Sequence, residues 1–130
     1  MNKKIISFDY DNTLSNKEEV QDYCKELIEK GIEVHIVTTR YDDLHAHLYA
    51  SLKNNNDMYQ ITDILGIRRE NIHFMNFQFG KANYLFDTKV LWHLDDDEIE
   101  LKNFKRLNKV KGIYIYDKNW KEQCEKLLNQ

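Results

Sequence analysis

The sequence predicts an α/β fold, a three-layer Rossmann-like arrangement in which a five-stranded parallel sheet carries helices on both faces. Three observations predict it. Short apolar runs alternate with amphipathic stretches of about ten to fifteen residues, the pattern of right-handed βαβ crossovers. Chemistry-bearing polar residues follow successive apolar runs: Asp9 and Asp11 after the first, Thr38 at the end of the second, Lys81 beyond the third and Asp95 after the fourth. The length of 130 residues suits one domain, 1–130, whose core buries roughly two thirds of the surface of the unfolded chain.

The first strand is the run Ile5-Ile6-Ser7-Phe8, which opens into the loop Asp9-Tyr10-Asp11-Asn12-Thr13. Ser15 and Glu18 have the spacing of a capping box, and Val20, Tyr23, Cys24, Leu27 and Ile28 then repeat at helical spacing up to Gly31. Strand two spans Ile32 to Val37 and leads into Thr38-Thr39-Arg40. The spacing of Leu44, Leu48 and Leu52 predicts a helix from Asp42 to Lys53 with these leucines on one apolar face, broken by Asn54-Asn55-Asn56. A short helix from Met58 to Leu65 closes on Gly66. Strand three is expected over Ile72 to Phe77, followed by the Gly80-Lys81 junction and a helix through Thr88. Strand four, Val90 to Leu94, runs straight into Asp95-Asp96-Asp97. A helix carrying Leu101, Phe104 and Leu107, a fifth strand over Ile113 to Tyr116 and a last helix with Trp120, Cys124, Leu127 and Leu128 complete the chain. A parallel sheet covered on both faces calls for strands that are apolar nearly throughout.

Composition narrows the function. With 42% hydrophobic and 32% charged residues the chain falls in the ordinary globular class, neither disordered nor membranous. A formal charge of -3 lacks the basic excess of a general nucleic-acid binder, so nucleic acid enters only as a substrate. No apolar run approaches membrane-spanning length and no signal segment precedes the first strand, which points to the cytoplasm. Cys24 and Cys124 fall on apolar helix faces and read as buried, reduced thiols.

In a parallel sheet the strand ends share one edge, and ligands bind there. Asp9, Asp11, Asp95 and Asp96 would then meet at one mouth. Two carboxylates about 5 Å apart repel by about 3 kcal/mol at an effective dielectric near 20, so a set of them calls for positive charge. Lys81 alone does not offset it. Carboxylate oxygens with backbone carbonyls suit Mg²⁺, and a metal facing a lysine and a threonine hydroxyl suits a bound phosphate. Of the two first-loop acids, one could attack phosphorus while the other handles the proton of the leaving group.

The motif set resembles the haloacid dehalogenase superfamily of phosphatases. Asp9-Tyr10-Asp11-Asn12-Thr13 fits its DxDxT signature, Thr38 its second motif, Lys81 its third and Asp95-Asp96 its fourth, in the family's order and on the expected elements. The resemblance implies Asp9 as the nucleophile that forms an aspartyl-phosphate and as a magnesium ligand. It implies Asp11 as general acid and base, with its backbone carbonyl on the metal. Thr38 and Lys81 would hold phosphoryl oxygens, and Asp95 and Asp96 would complete the metal shell. Asp96 and Asp97 form the alternative pair; Asp95 and Asp96 are preferred because they follow the strand directly, leaving Asp97 to cap the next helix.

Many members of that superfamily carry a cap domain after the first motif or between the second and third. Here neither interval has room for one, so the chain resembles a capless member. An open site favours a large substrate or an oligomeric neighbour acting as lid, so a homo-oligomer is a candidate state. The implied activity is a Mg²⁺-dependent phosphomonoester hydrolase acting on a nucleotide, a nucleic-acid end or another exposed phosphate. The alternatives are a silent Mg²⁺- and phosphate-binding module and a receiver-like signalling domain; the order of the lysine and the last acidic cluster argues against the receiver.

Other residues carry less. Thr39 and Arg40 continue the Thr38 run as candidate substrate contacts, although a solvated arginine is equally open. Phe77 and Phe79 could stack a nucleobase, but core packing is favoured for side chains of that size. His45 and His47 point to opposite sides of a helix and do not suit a zinc site. His93 reads as a core or sheet-face histidine, and Arg68-Arg69 as a solvated turn.

Overall fold

The computed structural model describes residues 3–48 and 54–130. The five expected strands form one parallel sheet in the order β3-β2-β1-β4-β5, with β1 at Ile5–Phe8, β2 at Glu33–Thr38, β3 at Ile72–Phe74, β4 at Val90–Asp95 and β5 at Lys111–Tyr114. β1 is central, and the order reverses across it. Such a reversal opens a crevice at the carboxyl ends of the two inner strands. The helices are α1 (Glu18–Glu29), α2 (Asp43–Leu48), α3 (Asn56–Leu65), α4 (Lys81–Leu85), α5 (Glu98–Leu107) and α6 (Trp120–Leu128). Among the described residues, each helix either connects strands or follows β5, and no added module lies over the strand ends.

Side chains alternate between two cores because successive strand residues point to opposite faces. Ile6, Phe8, Val34, Ile36, Trp92 and Leu94 face the larger core, packed by Tyr23 and Leu27 of α1, Met58 and Leu65 of α3, and Trp120 and Cys124 of α6. Trp92 anchors it, edge-on to Phe8 at 5.6 Å and stacked with Tyr23 at 6.4 Å. The smaller core lies on the other face, where Val37 and Val90 meet Ala82 and Leu85 of α4 and Phe104 of α5. Cys24 and Cys124 are buried free thiols, as expected, and burial pushes Cys24 up to about 12.

The expectation of strands apolar nearly throughout fails on that second face. Ser7, His35, His73 and His93 all occupy it, and the register sets Ser7 between His35 and His93. These polar groups satisfy one another. Ser7 Oγ and His93 Nδ1 are 2.7 Å apart, and His35 Nδ1 lies 2.8 Å from His73 Nε2 with the rings stacked at 5.1 Å. Glu33 and the Tyr84 hydroxyl close the two ends of the histidine pair at 2.7 and 2.9 Å.

Several local expectations are corrected. Ser15 does not cap α1: the helix starts at Glu18 after Lys17, and the Ser15 hydroxyl instead accepts the Asn12 N–H at 3.1 Å. The wide turn over Tyr10–Leu14 reverses through Asn12 at φ 61°, which draws Ser15 back towards the loop. Leu44 and Leu48 are exposed, and Ala46 is the buried residue of α2, so these two leucines do not form a core face. Leu52 and the expected helix end at Lys53 lie outside the described residues. β3 stops at Phe74, because Asn76 and Phe77 take left-handed φ values of 53° and 60°. β5 begins and ends two residues earlier than expected. Arg68 and Arg69 are both exposed, as expected; Arg68 pairs with Glu70 at 3.3 Å, and Arg69 pairs with Asp63 at 3.0 Å and lies 3.8 Å over the Tyr59 ring. No helix among the described residues is long and apolar enough to cross a membrane.

Candidate active site

The crevice beside β1 gathers the acids and the lysine. Asp9 is fixed by its N–H to the Leu94 carbonyl at 2.8 Å, which ties the start of the first loop to the end of β4. Lys81 opens α4 and reaches inward, its Nζ 2.9 Å from Asp9 Oδ1 and 2.8 Å from Asp95 Oδ2. Asp9, Asp11, Asn12, Thr39, Lys81, Asp95, Asp96 and Asp97 line a cleft of about 240 Å³. A larger cavity of about 760 Å³, bordered by His47, Tyr59 and Arg69, contains none of these side chains.

Each group is held by a neighbour. Thr13, the last residue of the first motif, is buried and donates its hydroxyl to Asp9 Oδ2 at 3.0 Å. Asp95 accepts from Lys81, from the Asp97 N–H at 3.0 Å and from His93, whose Nε2 lies 2.7 Å from Asp95 Oδ2. Burial pushes His93 below the ordinary imidazole value. The neutral tautomer that suits this network carries its proton on Nε2 and accepts the Ser7 hydroxyl at Nδ1. Asp97 accepts the N–H groups of Ile99 and Glu100 at 2.9 and 3.3 Å, capping α5 as expected.

The charges do not balance. Burial and then the nearby Asp95 raise Asp9 well above the usual carboxylate range, with Lys81 pulling the other way. Burial also opposes the charge on Asp95, but His93 and Lys81 outweigh it and hold that carboxyl below its usual range. For Lys81, burial favours the neutral amine, and Asp9 and Asp95 overcome it to keep the ammonium charged. Asp9, Asp95 and Asp96 each offer a carboxylate oxygen, all within 4.8 Å of one another, against one ammonium and a neutral imidazole. Three hard oxygen donors with excess negative charge fit a divalent cation such as Mg²⁺.

Two expected contacts are arranged differently. Thr38 is fully buried and its hydroxyl accepts the Arg40 N–H at 3.2 Å, while Thr39 reaches the cleft wall. Arg40 does not line the cleft. Its guanidinium holds Asp11 through Nε and Nη2 at 2.9 and 2.8 Å and Asp57 of α3 at 2.8 and 2.9 Å.

Sequence reasoning missed two supporting residues. Glu100 is fully buried and accepts the N–H of Gly80 at 3.0 Å and of Lys81 at 3.4 Å, fixing the start of α4 and hence the root of Lys81. Burial raises its carboxyl above the ordinary value. The signal was present: Glu100, Phe104 and Leu107 follow the i, i+4, i+7 spacing of one helix face, so the glutamate interrupts an apolar stripe. His93 is buried on the sheet face, in line with its reading as a core or sheet-face histidine; what that reading lacked is its bond to Asp95, two residues on along the same strand face, which the period-two rule could have paired. Comparison with protein-family models and with curated proteins gives no match to the chain.

Proposed function

We propose that the chain is a magnesium-dependent phosphomonoester hydrolase of the haloacid dehalogenase type, working through an aspartyl-phosphate on Asp9. The observation that carries the reading is the convergence of Asp9, Asp95 and Asp96 on one point with Lys81 bridging the first two. Asp9, Asp95 and Asp96 would hold the ion. When bound, Mg²⁺ supplies positive charge that neutralises phosphoryl oxygens.

The residues divide the work. The Lys81 ammonium and a hydroxyl from the Thr38-Thr39 pair bind and orient the phosphoryl group. A carboxylate oxygen of Asp9 attacks phosphorus, and the bond to the leaving oxygen breaks as Asp11 delivers a proton to it. Asp11, now a carboxylate, takes a proton from the water that attacks phosphorus in the second step. Phosphate leaves, and Asp9 is regenerated. Thr13 keeps Asp9 aimed, and Glu100 and His93 keep Lys81 and Asp95 in register. The substrate class is a nucleotide, a nucleic-acid end or another exposed phosphate. A cytoplasmic setting belongs to the same proposal, supported by the two buried unpaired thiols.

One feature favours a second reading, a silent module that binds Mg²⁺ and phosphate. Both carboxylate oxygens of Asp11 are engaged by Arg40, so proton transfer requires that pair to open. A chromogenic aryl phosphate, tested with and without Mg²⁺ beside Asp9→Asn and Asp11→Asn, separates the two. The hydrolase reading expects turnover abolished by chelation, undetectable in Asp9→Asn and lowered about 10²- to 10⁴-fold in Asp11→Asn. Turnover that survives Asp9→Asn would overturn it; Mg²⁺ binding without turnover would establish the silent module.

A further inference from the structure

The loop between β3 and α4 presents two large aromatic side chains to solvent, against the expectation that they pack in the core. Phe77 is 60% exposed and Phe79 is 65% exposed. A phenylalanine side chain gains by burial, and this loop leaves most of two of them in solvent. The backbone is strained to do so. Asn76 and Phe77 are consecutive non-glycine residues in the left-handed region, a conformation rare for an aromatic residue.

The strained turn is tied to the cleft. The Phe77 N–H donates to the Thr39 carbonyl at 2.6 Å, the Asn76 N–H to the Arg40 carbonyl at 3.1 Å, and the Asn76 side chain accepts the Asp42 N–H at 2.9 Å. Thr39 lines the acidic cleft. Phe77 is therefore one hydrogen bond away from a wall of the proposed phosphate site. Its ring lies 4.8 Å from that of Tyr41, tilted by 40°, and Phe79 stands two residues before Lys81.

We propose that Phe77, backed by Tyr41, is the platform for the base of a nucleoside monophosphate whose phosphate enters the cleft at Asp9 and Lys81. This deepens the hydrolase reading and rests on it for the placement of the phosphate. A planar, uncharged base suits the patch in shape and in charge. Asp42 and Asp43 follow Tyr41 in the chain, and Arg40, just before it, is already shared between Asp11 and Asp57. A continuing phosphate backbone would meet those acids, so a mononucleotide fits better than a polynucleotide end.

The test is binding in the presence of Mg²⁺, read by calorimetry on the full chain and on Asp9→Asn. The ligands are adenosine 5′-monophosphate, ribose 5-phosphate and a 5′-phosphorylated oligonucleotide. Stacking of one base predicts that the nucleotide binds about 5- to 150-fold more tightly than the sugar phosphate. Phe77→Asn keeps a residue tolerant of left-handed φ and removes the ring; it should erase that ratio, and Phe77→Tyr should retain it. Because Phe77 is exposed and asparagine suits its left-handed φ, neither variant should unfold below the wild-type temperature. Equal affinity for nucleotide and sugar phosphate in the wild type, or a ratio unchanged in Phe77→Asn, would overturn the platform. Tighter binding of the oligonucleotide than of the mononucleotide would overturn the substrate class. Loss of all turnover with the base preference intact would count against the hydrolase reading and leave the platform standing.

Discussion

Arg40 and Asp11 are joined by two parallel hydrogen bonds, Nε to Oδ2 at 2.9 Å and Nη2 to Oδ1 at 2.8 Å. The same guanidinium holds Asp57 and lies 5.0 Å from the centre of the Tyr10 ring, so one side chain links the first loop to α3. Arg40 is 14% exposed, but its partners are 45% and 39% exposed, and water screens much of the attraction. Geometry should count for more than charge. Arg40→Lys, which keeps the charge and loses the planar fork, is expected to cost about 1 kcal/mol, nearly as much as Arg40→Ala. Urea midpoints at unchanged slope measure this, and a lysine variant as stable as wild type would show that the fork contributes nothing.

Glu100 sets the position of Lys81 from beneath. Its carboxylate accepts two N–H groups at the start of α4, where Gly80 sits at φ 118° and offers no side chain to cap the helix. Glu100→Ala leaves those donors unsatisfied and is expected to lower stability by about 2 kcal/mol. Glu100→Gln should fall between wild type and alanine, since its amide oxygen still accepts one N–H while the NH₂ group faces the other donor. Chemical denaturation gives the ranking; an alanine variant at wild-type stability would mean that water satisfies the same N–H groups.

What was legible in the sequence follows from how local each feature is. The gathering of Asp9, Lys81 and Asp95 was readable because a parallel sheet collects strand ends whatever lies between them. The Asp97 cap was readable because its partners are two and three residues away. The Ser15 capping box has the same local form and fails, since the reversal at Asn12 claims the hydroxyl first. Leu44 and Leu48 repeat at helical spacing but stay exposed, with no partner surface among the described residues, and periodicity alone does not say whether one exists. The His35–His73 contact joins residues 38 apart and depends on the register of β2 with β3, which no local pattern reveals. Phe77 was misread because size favours burial, and the left-handed turn that exposes it depends on hydrogen bonds to Thr39 and Arg40.

The histidine face makes stability sensitive to acid. Burial, followed by the neighbouring His35, lowers His73 below the ordinary value of 6.5, and burial also lowers His93. Both groups bind fewer protons in the folded chain than in the unfolded chain. Their contribution is therefore fully present above 6.5 and is lost as pH falls through the window below it, where only the unfolded chain takes up protons. The raised carboxyls of Asp9 and Glu100 act with the opposite sign, so the reading is relative to His73→Gln, which cannot titrate there: between about pH 7.5 and about pH 5.5 the urea midpoint of the wild type should fall relative to that of the variant. An identical decline in the variant would show that His73 takes no part.

Gly112 marks the closest approach of β5 to α5. A Cβ built there would lie 2.9 Å from Leu101 Cδ2 and 2.9 Å from Phe104 Cβ, closer than real contacts allow. Relief requires α5 to move outward, since Phe104 is buried and stacks on the His93 ring at 5.1 Å. Gly112→Ala is expected to cost about 1–3 kcal/mol as an overpacked contact. Glu100 lies one turn before Phe104 on the same helix, so an outward shift of α5 also loosens its hold on Gly80 and Lys81. The two effects should overlap: Gly112→Ala combined with Glu100→Ala is expected to cost less than the sum of the single variants by more than about 0.5 kcal/mol. Strict additivity in a denaturation cycle would show that β5 is relieved locally, without moving the helix that anchors α4.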